Sequence, residues 1–134
     1  MIVGFTGSRH GMDSRQEGRL RRYLRTVGCT IFLHGDCIGA DAQAHHIAMD
    51  LGIAIVIHPP IDEKARAHCI GPEDKVMVLA PNEYLARNRA IVKASEAMCA
   101  APQTPEVLRS GTWSTIRWAR KKRVPVSIFM PKAK

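Results

Sequence analysis

The sequence predicts an α/β domain whose sheet is mostly parallel and carries helices on both faces. Short apolar runs alternate with amphipathic stretches about five times along the chain, the order expected when helices connect parallel strands. The length of 134 residues suits one domain. Because no internal repeat, linker or low-complexity segment interrupts the pattern, we expect residues 1–134 to form a single domain with five to seven strands.

The predicted strands are short apolar runs, several of them rich in β-branched residues, and each is closed by turn residues. The run at 53–57 is apolar throughout, which predicts burial on both faces, and Pro59-Pro60 ends it. Residues 59–74, which follow, are the least regular part of the chain. The predicted strands cover residues 2–5, 30–33, 53–57, 76–79, 97–101 and 124–129.

The predicted helices show helical spacing and stop signals. In the first, Leu20, Leu24 and Val27 fall on one face, and Gly28 ends the helix. Gly52 ends the second in the same way. The predicted helices cover residues 14–27, 40–51, 84–94 and 112–122, and a loop at 102–111 precedes the last of them.

Composition limits the classes of function. No apolar run approaches the ~20 residues of a membrane span, and the start, MIVGFTGSRHG, lacks the basic region of a signal peptide, so we expect a cytoplasmic protein. The four cysteines form no CxxC pair, which predicts free thiols. The net charge of +8 favours an anionic partner, either a nucleotide or a nucleic acid, although a solvated basic surface is the alternative.

Glycine-bearing polar loops follow three predicted strands: TGSR at 6–9, HGDCIGAD at 34–41 and RSGT at 109–112. Ligands of open parallel sheets bind beyond the carboxyl ends of the strands. Backbone N–H groups at a helix N-terminus bind phosphate, and glycine lets the ligand approach them. We therefore predict a phosphate site at this rim, with a simple capped helix as the alternative for 110–112. The predicted ligand-binding residues are Gly7, Ser8, Arg9, Gly35, Gly39, Asp41, Arg87, Asn88, Arg89, Arg109, Ser110, Gly111 and Thr112.

Three further groups have both a functional and a structural interpretation. Arg87 and Arg89 oppose the dipole at the start of their helix, so they either balance an anionic ligand or are solvated. Asp41 is either a first-turn acid of its helix or a group that binds a ribose hydroxyl or activates water. Trp113, beside the glycine loop, either packs in the core or stacks on a base.

The sequence predicts neither a metal nor a resident cofactor. His45 and His46 are adjacent on one helix and cannot face one direction, and the HxxxH spacing is absent. None of the loops matches the GxGxxG or P-loop patterns of NAD and ATP sites.

The segments TGSR, HGDCIGADAQAH, RNRAIV, AAP and SGTW, in this order over about residues 2–129, resemble the SLOG superfamily of Rossmann-like domains. That group includes the LOG-type phosphoribohydrolases, the DNA-processing protein A domain and small stand-alone proteins of the YspA and YpsA-related kind, which look most similar. The resemblance implies one Rossmann-like domain that binds a nucleotide or nucleotide-derived ligand, as a sensor or a sequestering protein. It also implies association into a homo-oligomer.

The resemblance implies an enzymatic alternative that this chain fills only in part. LOG enzymes cleave the N-glycosidic bond of nucleoside monophosphates with an arginine and with the glutamate of a PGGxGTxxE motif. Gly111-Thr112 matches the Gly-Thr of that motif, whereas the glutamate position is Thr115, which cannot carry charge. A phosphoribohydrolase would therefore need relocated groups, for which the sequence offers Asp36, Asp41 and Arg89.

A third hypothesis is a single-stranded nucleic-acid-binding module, which the charge and the RNR segment at 87–89 allow. The aromatic content of 5% is unfavourable to it, because single strands are usually held on stacking platforms. The sequence does not define the base or the number of phosphates of a nucleotide ligand.

Overall fold

A computed structural model describes residues 1–133, and its six strands form one sheet in which every neighbouring pair is parallel. The predicted α/β fold class is confirmed, and all six predicted strands are present with ends that differ by at most two residues. The strands are β1 (Ile2–Gly7), β2 (Ile31–His34), β3 (Ala54–Ile57), β4 (Val76–Val78), β5 (Ala97–Ala101) and β6 (Val126–Ile128).

Four helices connect the strands: α1 (Ser14–Thr26), α2 (Ala40–Asp50), α3 (Tyr84–Ala94) and α4 (Gly111–Lys121). Helix α1 begins at a capping box, in which Asp13 accepts a hydrogen bond from the Gln16 N–H and the Gln16 side chain accepts one from the Asp13 N–H. The segment between β3 and β4 contains only a short 3₁₀ turn, Glu63–Ala65. Among residues 1–133, no helix is both long and apolar enough to cross a lipid bilayer.

The strand order β4-β3-β2-β1-β5-β6 fixes the position of the site. The chain moves outward from β1 to β4 and then returns through α3 to place β5 on the other side of β1. The order therefore reverses between β1 and β5, and a crevice opens beyond their carboxyl ends, where open α/β sheets bind ligands.

The two faces of the sheet pack on different helix pairs. Helices α1 and α2 cover one face, over a core that includes Phe5 and Phe32, whose ring centroids are 5.9 Å apart. Helices α3 and α4 lie on the other face and pack mainly on β1, β5 and β6. The prediction that β3 is buried on both faces is therefore wrong, because Ala54 and Val56 on that second face are only partly buried.

Candidate ligand-binding cleft at the strand-order reversal

A cleft of about 560 Å³ lies at the carboxyl ends of β1 and β5. Its walls come from the β1–α1 loop, the β2–α2 loop, the first turns of α3 and the β5–α4 loop. The structure thus brings together the three polar loops that the sequence placed on one rim. The predicted residues that line the cleft are Gly7, Ser8, Arg9, Gly35, Asp41, Arg87, Asn88, Arg109, Ser110, Gly111 and Thr112.

The N-terminus of α4 presents free backbone donors to the cleft. The Ser110 hydroxyl caps the helix by accepting a hydrogen bond of 3.2 Å from the Trp113 N–H. Within residues 1–133, the N–H groups of Gly111 and Thr112 have no hydrogen-bond acceptor. A Cβ atom added at Gly111 would meet no atom within 4 Å, so there is room for a side chain at this position. Two free amides at the positive end of a helix dipole are a geometry that can accept an anion.

Arginine side chains supply the positive charge around this site. The Arg9 guanidinium lies 4.9 Å from the centre of the Tyr84 ring and donates a hydrogen bond to the Tyr84 hydroxyl. Arg109 lies on the β5–α4 loop and is exposed. Neither arginine has an acidic partner among residues 1–133. A dianionic group at the α4 terminus would therefore find two unpaired guanidinium groups at the same cleft.

Arg87 forms part of the cleft floor and is only 4% exposed. Its guanidinium donates hydrogen bonds to the backbone carbonyls of Gly35 and His58, the latter at 3.2 Å. The same group lies 3.5 Å from the Cys37 sulfur. The positive charge of Arg87, which opposes the α3 dipole, is thus solvated by carbonyl groups of the protein rather than by a ligand. The same hydrogen bonds hold the β2–α2 loop against α3.

Asp41 is the only acidic residue that lines the cleft within residues 1–133. It is 6% exposed, and its Oδ2 accepts a hydrogen bond of 3.1 Å from the Cys37 N–H. Burial raises the pKa of Asp41 to about 6, against the opposing effect of the nearby Arg87 charge. At neutral pH the side chain is therefore a carboxylate, which accepts hydrogen bonds but repels phosphate.

Glycine at position 35 is required by close packing, because a Cβ there would collide with the Arg87 guanidinium. Gly39 is not a lining residue, so the structure does not support its predicted ligand contact. Two structural reasons explain why this residue is a glycine. Its φ is +90°, and a Cβ atom would collide with the Arg9 carbonyl. This close approach lets the Ala40 N–H donate to the Ser8 carbonyl at 2.9 Å, which joins two cleft loops.

The structure does not bring the predicted catalytic residue Asp36 to the cleft. Asp36 is buried and accepts hydrogen bonds from the Arg66 Nε at 3.1 Å and from the Cys69 N–H at 2.8 Å. Its backbone N–H donates to His34 Nδ1. Asp36 therefore ties the irregular segment 59–74 to the β2–α2 loop, and its position does not support the predicted catalytic role in this cleft.

Arg89 is also outside the cleft. Two residues along a helix turn the side chain by about 200°, so Arg87 faces the cleft while Arg89 faces away. The Arg89 guanidinium stacks on Trp118 of α4, with its central carbon 3.8 Å from the ring centre. The predicted ligand-binding and catalytic roles of Arg89 in this cleft are therefore not supported by its position.

Two other residues of α4 are structural. Trp113 is buried with Ala100 and Ile116, and its indole N–H donates to the Thr104 carbonyl at 3.0 Å, so the core interpretation of Trp113 is the one the structure shows. Thr115 occupies the position of the LOG glutamate. It is buried and its hydroxyl donates to the Gly111 carbonyl at 2.9 Å within the helix.

A buried cluster of His34, His45 and Cys69 brings three potential metal-ligand atoms within 4.8 Å of one another. The Asp36 N–H donates to His34 Nδ1, so a neutral His34 carries its proton on Nε2. That proton faces His45 Nδ1 at 3.0 Å, and His45 Nε2 bonds the Ile70 carbonyl at 2.8 Å. Burial lowers the pKa of His34 and raises that of Cys69 to about 12. All four ring nitrogens of His34 and His45 thus have hydrogen-bond partners within the protein.

Ten lining residues were not predicted from the sequence, and Tyr84 and Cys37 are the two that contact the cleft arginines. Tyr84 lies three residues before Arg87 on α3, so helical spacing places both on one face, and this signal could have identified Tyr84. The Arg9 and Arg87 guanidinium carbons lie 4.9 and 5.1 Å from its ring centre. Cys37 enters the cleft through the path of the β2–α2 loop, which no local pattern predicts.

Solved structures share this architecture. The chain superposes on the molybdenum cofactor binding protein of Rippkaea orientalis with a TM-score of 0.71 and 20% identity, covering 98% of this chain and 77% of that one. DNA processing protein A from Helicobacter pylori gives a TM-score of 0.67 at 20% identity, with coverages of 99% and 66%. The chain therefore shares the Rossmann-like α/β fold of these proteins. The corresponding protein from Streptococcus pneumoniae gives 0.69 at 18% identity, with coverages of 98% and 50%. Neither a protein-family model nor a curated protein sequence matches the chain.

Proposed function

We propose that this protein belongs to the SLOG superfamily and binds a small phosphate-bearing molecule of the nucleotide class in the cleft at the carboxyl ends of β1 and β5. The observation that carries the proposal is the pair of unbonded N–H groups, Gly111 and Thr112, at the start of an 11-residue helix that opens onto the cleft. Arg9 and Arg109 line the same cleft without acidic partners among residues 1–133. Amide donors, a helix dipole and unpaired guanidinium groups are the features that bind phosphate.

The charge distribution sets the orientation of the ligand. The Asp41 carboxylate on the cleft floor repels phosphate and accepts hydrogen bonds. The phosphate therefore binds at the α4 terminus, and a neutral donor such as a ribose hydroxyl or an exocyclic amine faces Asp41. Tyr84 lines the same cleft, and the guanidinium groups of Arg9 and Arg87 already lie over its ring.

The cleft favours binding over glycosidic cleavage. The LOG enzymes that the sequence resembles cleave an N-glycosidic bond with one glutamate and one arginine, and here the glutamate position is Thr115. Asp41 is the single carboxylate at the cleft within residues 1–133, because Asp36 bonds Arg66 and Thr115 bonds the helix backbone. We therefore favour a sensor or sequestering protein over a phosphoribohydrolase.

The names of the structural neighbours define which ligands to test. The Rippkaea orientalis neighbour is a molybdenum cofactor binding protein, and the Helicobacter pylori neighbour is described as binding single-stranded DNA. Calorimetry should therefore compare nucleoside mono- and diphosphates, cyclic nucleotides, the molybdenum cofactor and a single-stranded oligonucleotide. We expect a phosphate-bearing small molecule to bind this chain, without base release in a parallel chromatographic assay.

Gly111→Asp tests the location of the site. The substitution adds a carboxylate, for which there is room, next to the two amides, where it competes with the phosphate and repels it. Hydrogen bonds to charged groups contribute about 1.5 kcal/mol or more each, so losing two weakens binding by about 100-fold. Gly111→Ala is the matched control, and its affinity should change by less than about threefold. Unchanged affinity in a folded Gly111→Asp protein, verified by its melting curve, would show that the phosphate binds elsewhere.

A further inference from the structure

A second concave surface lies between α3 and α4, on the side of α3 that faces away from the cleft. This α3–α4 groove has a volume of about 550 Å³. The apolar part of its lining, the floor of the groove, consists of Ala86, Ala90, Val124 and the buried Val92. Its rim carries the cations Arg89, Lys93 and Lys122 around the indole of Trp118. An apolar floor within a cationic rim distinguishes this groove from the polar cleft.

The cations of the rim are not neutralised by the protein. The guanidinium of Arg89 lies 3.8 Å and the ammonium of Lys122 4.7 Å from the Trp118 ring centre, and the ammonium of Lys121, which is not a lining residue of the groove, lies at 5.6 Å. None of the three has an acidic partner within 4.0 Å among residues 1–133. Mutual repulsion of clustered cations is unfavourable, and an anionic partner would relieve it.

Helix electrostatics explains the lysines but not the arginine. Lys93 and Lys121 lie in the last turns of their helices, and Lys122 caps α4, where cations complement the helix dipole. Arg89 lies in the middle of α3 and gains nothing from that effect. Stacking on Trp118 holds its planar guanidinium in place, and within residues 1–133 it donates no hydrogen bond to the protein. An Arg fork that is fixed in this way is preorganised for a carboxylate.

We propose that the α3–α4 groove binds an acidic peptide segment of a partner protein. An apolar side chain of the segment packs on Ala86, Ala90 and Val124, and flanking carboxylates pair with Arg89 and Lys122. A nucleic-acid strand fits the groove less well for two reasons. Arg89 already covers an indole face on which a base would stack, and the small aliphatic floor offers no partner to a phosphodiester.

A random dodecapeptide library displayed on phage tests the proposal, with the whole biotinylated chain as the target. We expect the selected peptides to share one apolar residue flanked by Asp or Glu. Arg89→Glu should weaken the best peptide at least tenfold, measured by fluorescence anisotropy. Arg22→Glu is the matched control, because Arg22 is exposed on α1, on the opposite face of the sheet, and changes the net charge equally. Trp118→Leu should weaken binding about threefold to tenfold, since Arg89 loses its support.

The outcomes separate the partner classes. Binding should quench Trp118, which is partly exposed, whereas Trp113 is buried at 6% exposure, so the emission of Trp113→Phe protein reports the groove alone. The proposal is overturned if no acidic consensus is selected, or if Arg89→Glu and Arg22→Glu weaken the peptide equally. It is also overturned if dT20 binds the groove more tightly than the peptides and displaces them, which would make this surface a nucleic-acid interface.

Discussion

The titration of Asp41, a cleft residue, should change the free energy of unfolding with pH. Its pKa is raised from 3.8 to about 6 by burial. Each pH unit of that difference corresponds to about 1.4 kcal/mol, so ionising Asp41 costs the folded state about 3 kcal/mol. Because the folded form holds its proton more tightly than the unfolded form, this contribution to stability is present below about pH 4. It is lost as the pH rises to about 6 and above.

Asp41→Asn removes this titration while it keeps the shape of the side chain. Urea unfolding of both proteins at intervals from about pH 4 to pH 8 gives the difference in their free energies of unfolding, in which the other titrating groups cancel. We expect the stability of the native protein relative to Asp41→Asn to fall by about 3 kcal/mol across this range. The ¹³C shift of the Asp41 carboxyl carbon gives the same pKa without a variant. A carboxyl that titrates near pH 4, together with a flat stability difference, would refute the burial argument.

Three further substitutions separate structural from ligand-binding roles. Gly39→Ala should destabilise the fold by about 2 kcal/mol or more in urea, because φ is +90° and its Cβ would collide with the Arg9 carbonyl. Arg87→Met should cost about 3 kcal/mol by the same measurement, because it leaves the buried carbonyls of Gly35 and His58 without their donor; stability within 1 kcal/mol of the native protein would contradict this role. Thr115→Val should cost less than about 1.5 kcal/mol and leave ligand affinity in calorimetry unchanged, since Thr115 only bonds the Gly111 carbonyl.

Much of the fold was predictable because local signals agree with the tertiary structure. Helix α3 and strand β5 begin and end at the predicted residues, Tyr84–Ala94 and Ala97–Ala101. Strand β6 is shorter than the predicted 124–129, because only residues Val126–Ile128 pair with β5. The meeting of three loops was also predictable, since the carboxyl ends of parallel strands share one edge of the sheet.

The remaining errors concern the direction of side chains and contacts between distant parts of the chain. Arg87 and Arg89 are equivalent in the sequence, and the rotation of α3 alone decides which faces the cleft. The burial of Ile91 and Val92 fixes that rotation, so the apolar face of α3 held a signal for Arg87. The partner of Asp36 is Arg66, thirty residues away in an irregular segment, and nothing near Asp36 indicates this contact.

The most direct test of the phosphate site is amide NMR of the ¹⁵N-labelled protein during titration with the tightest nucleotide found by calorimetry. We expect the largest downfield shifts at the Gly111 and Thr112 N–H groups, because these become hydrogen-bonded to phosphate oxygens. Smaller shifts should follow at Gly7 and Ser8, which line the same cleft. If Gly111 and Thr112 do not shift while the ligand binds, the α4 terminus is not the phosphate site and the proposed function is contradicted.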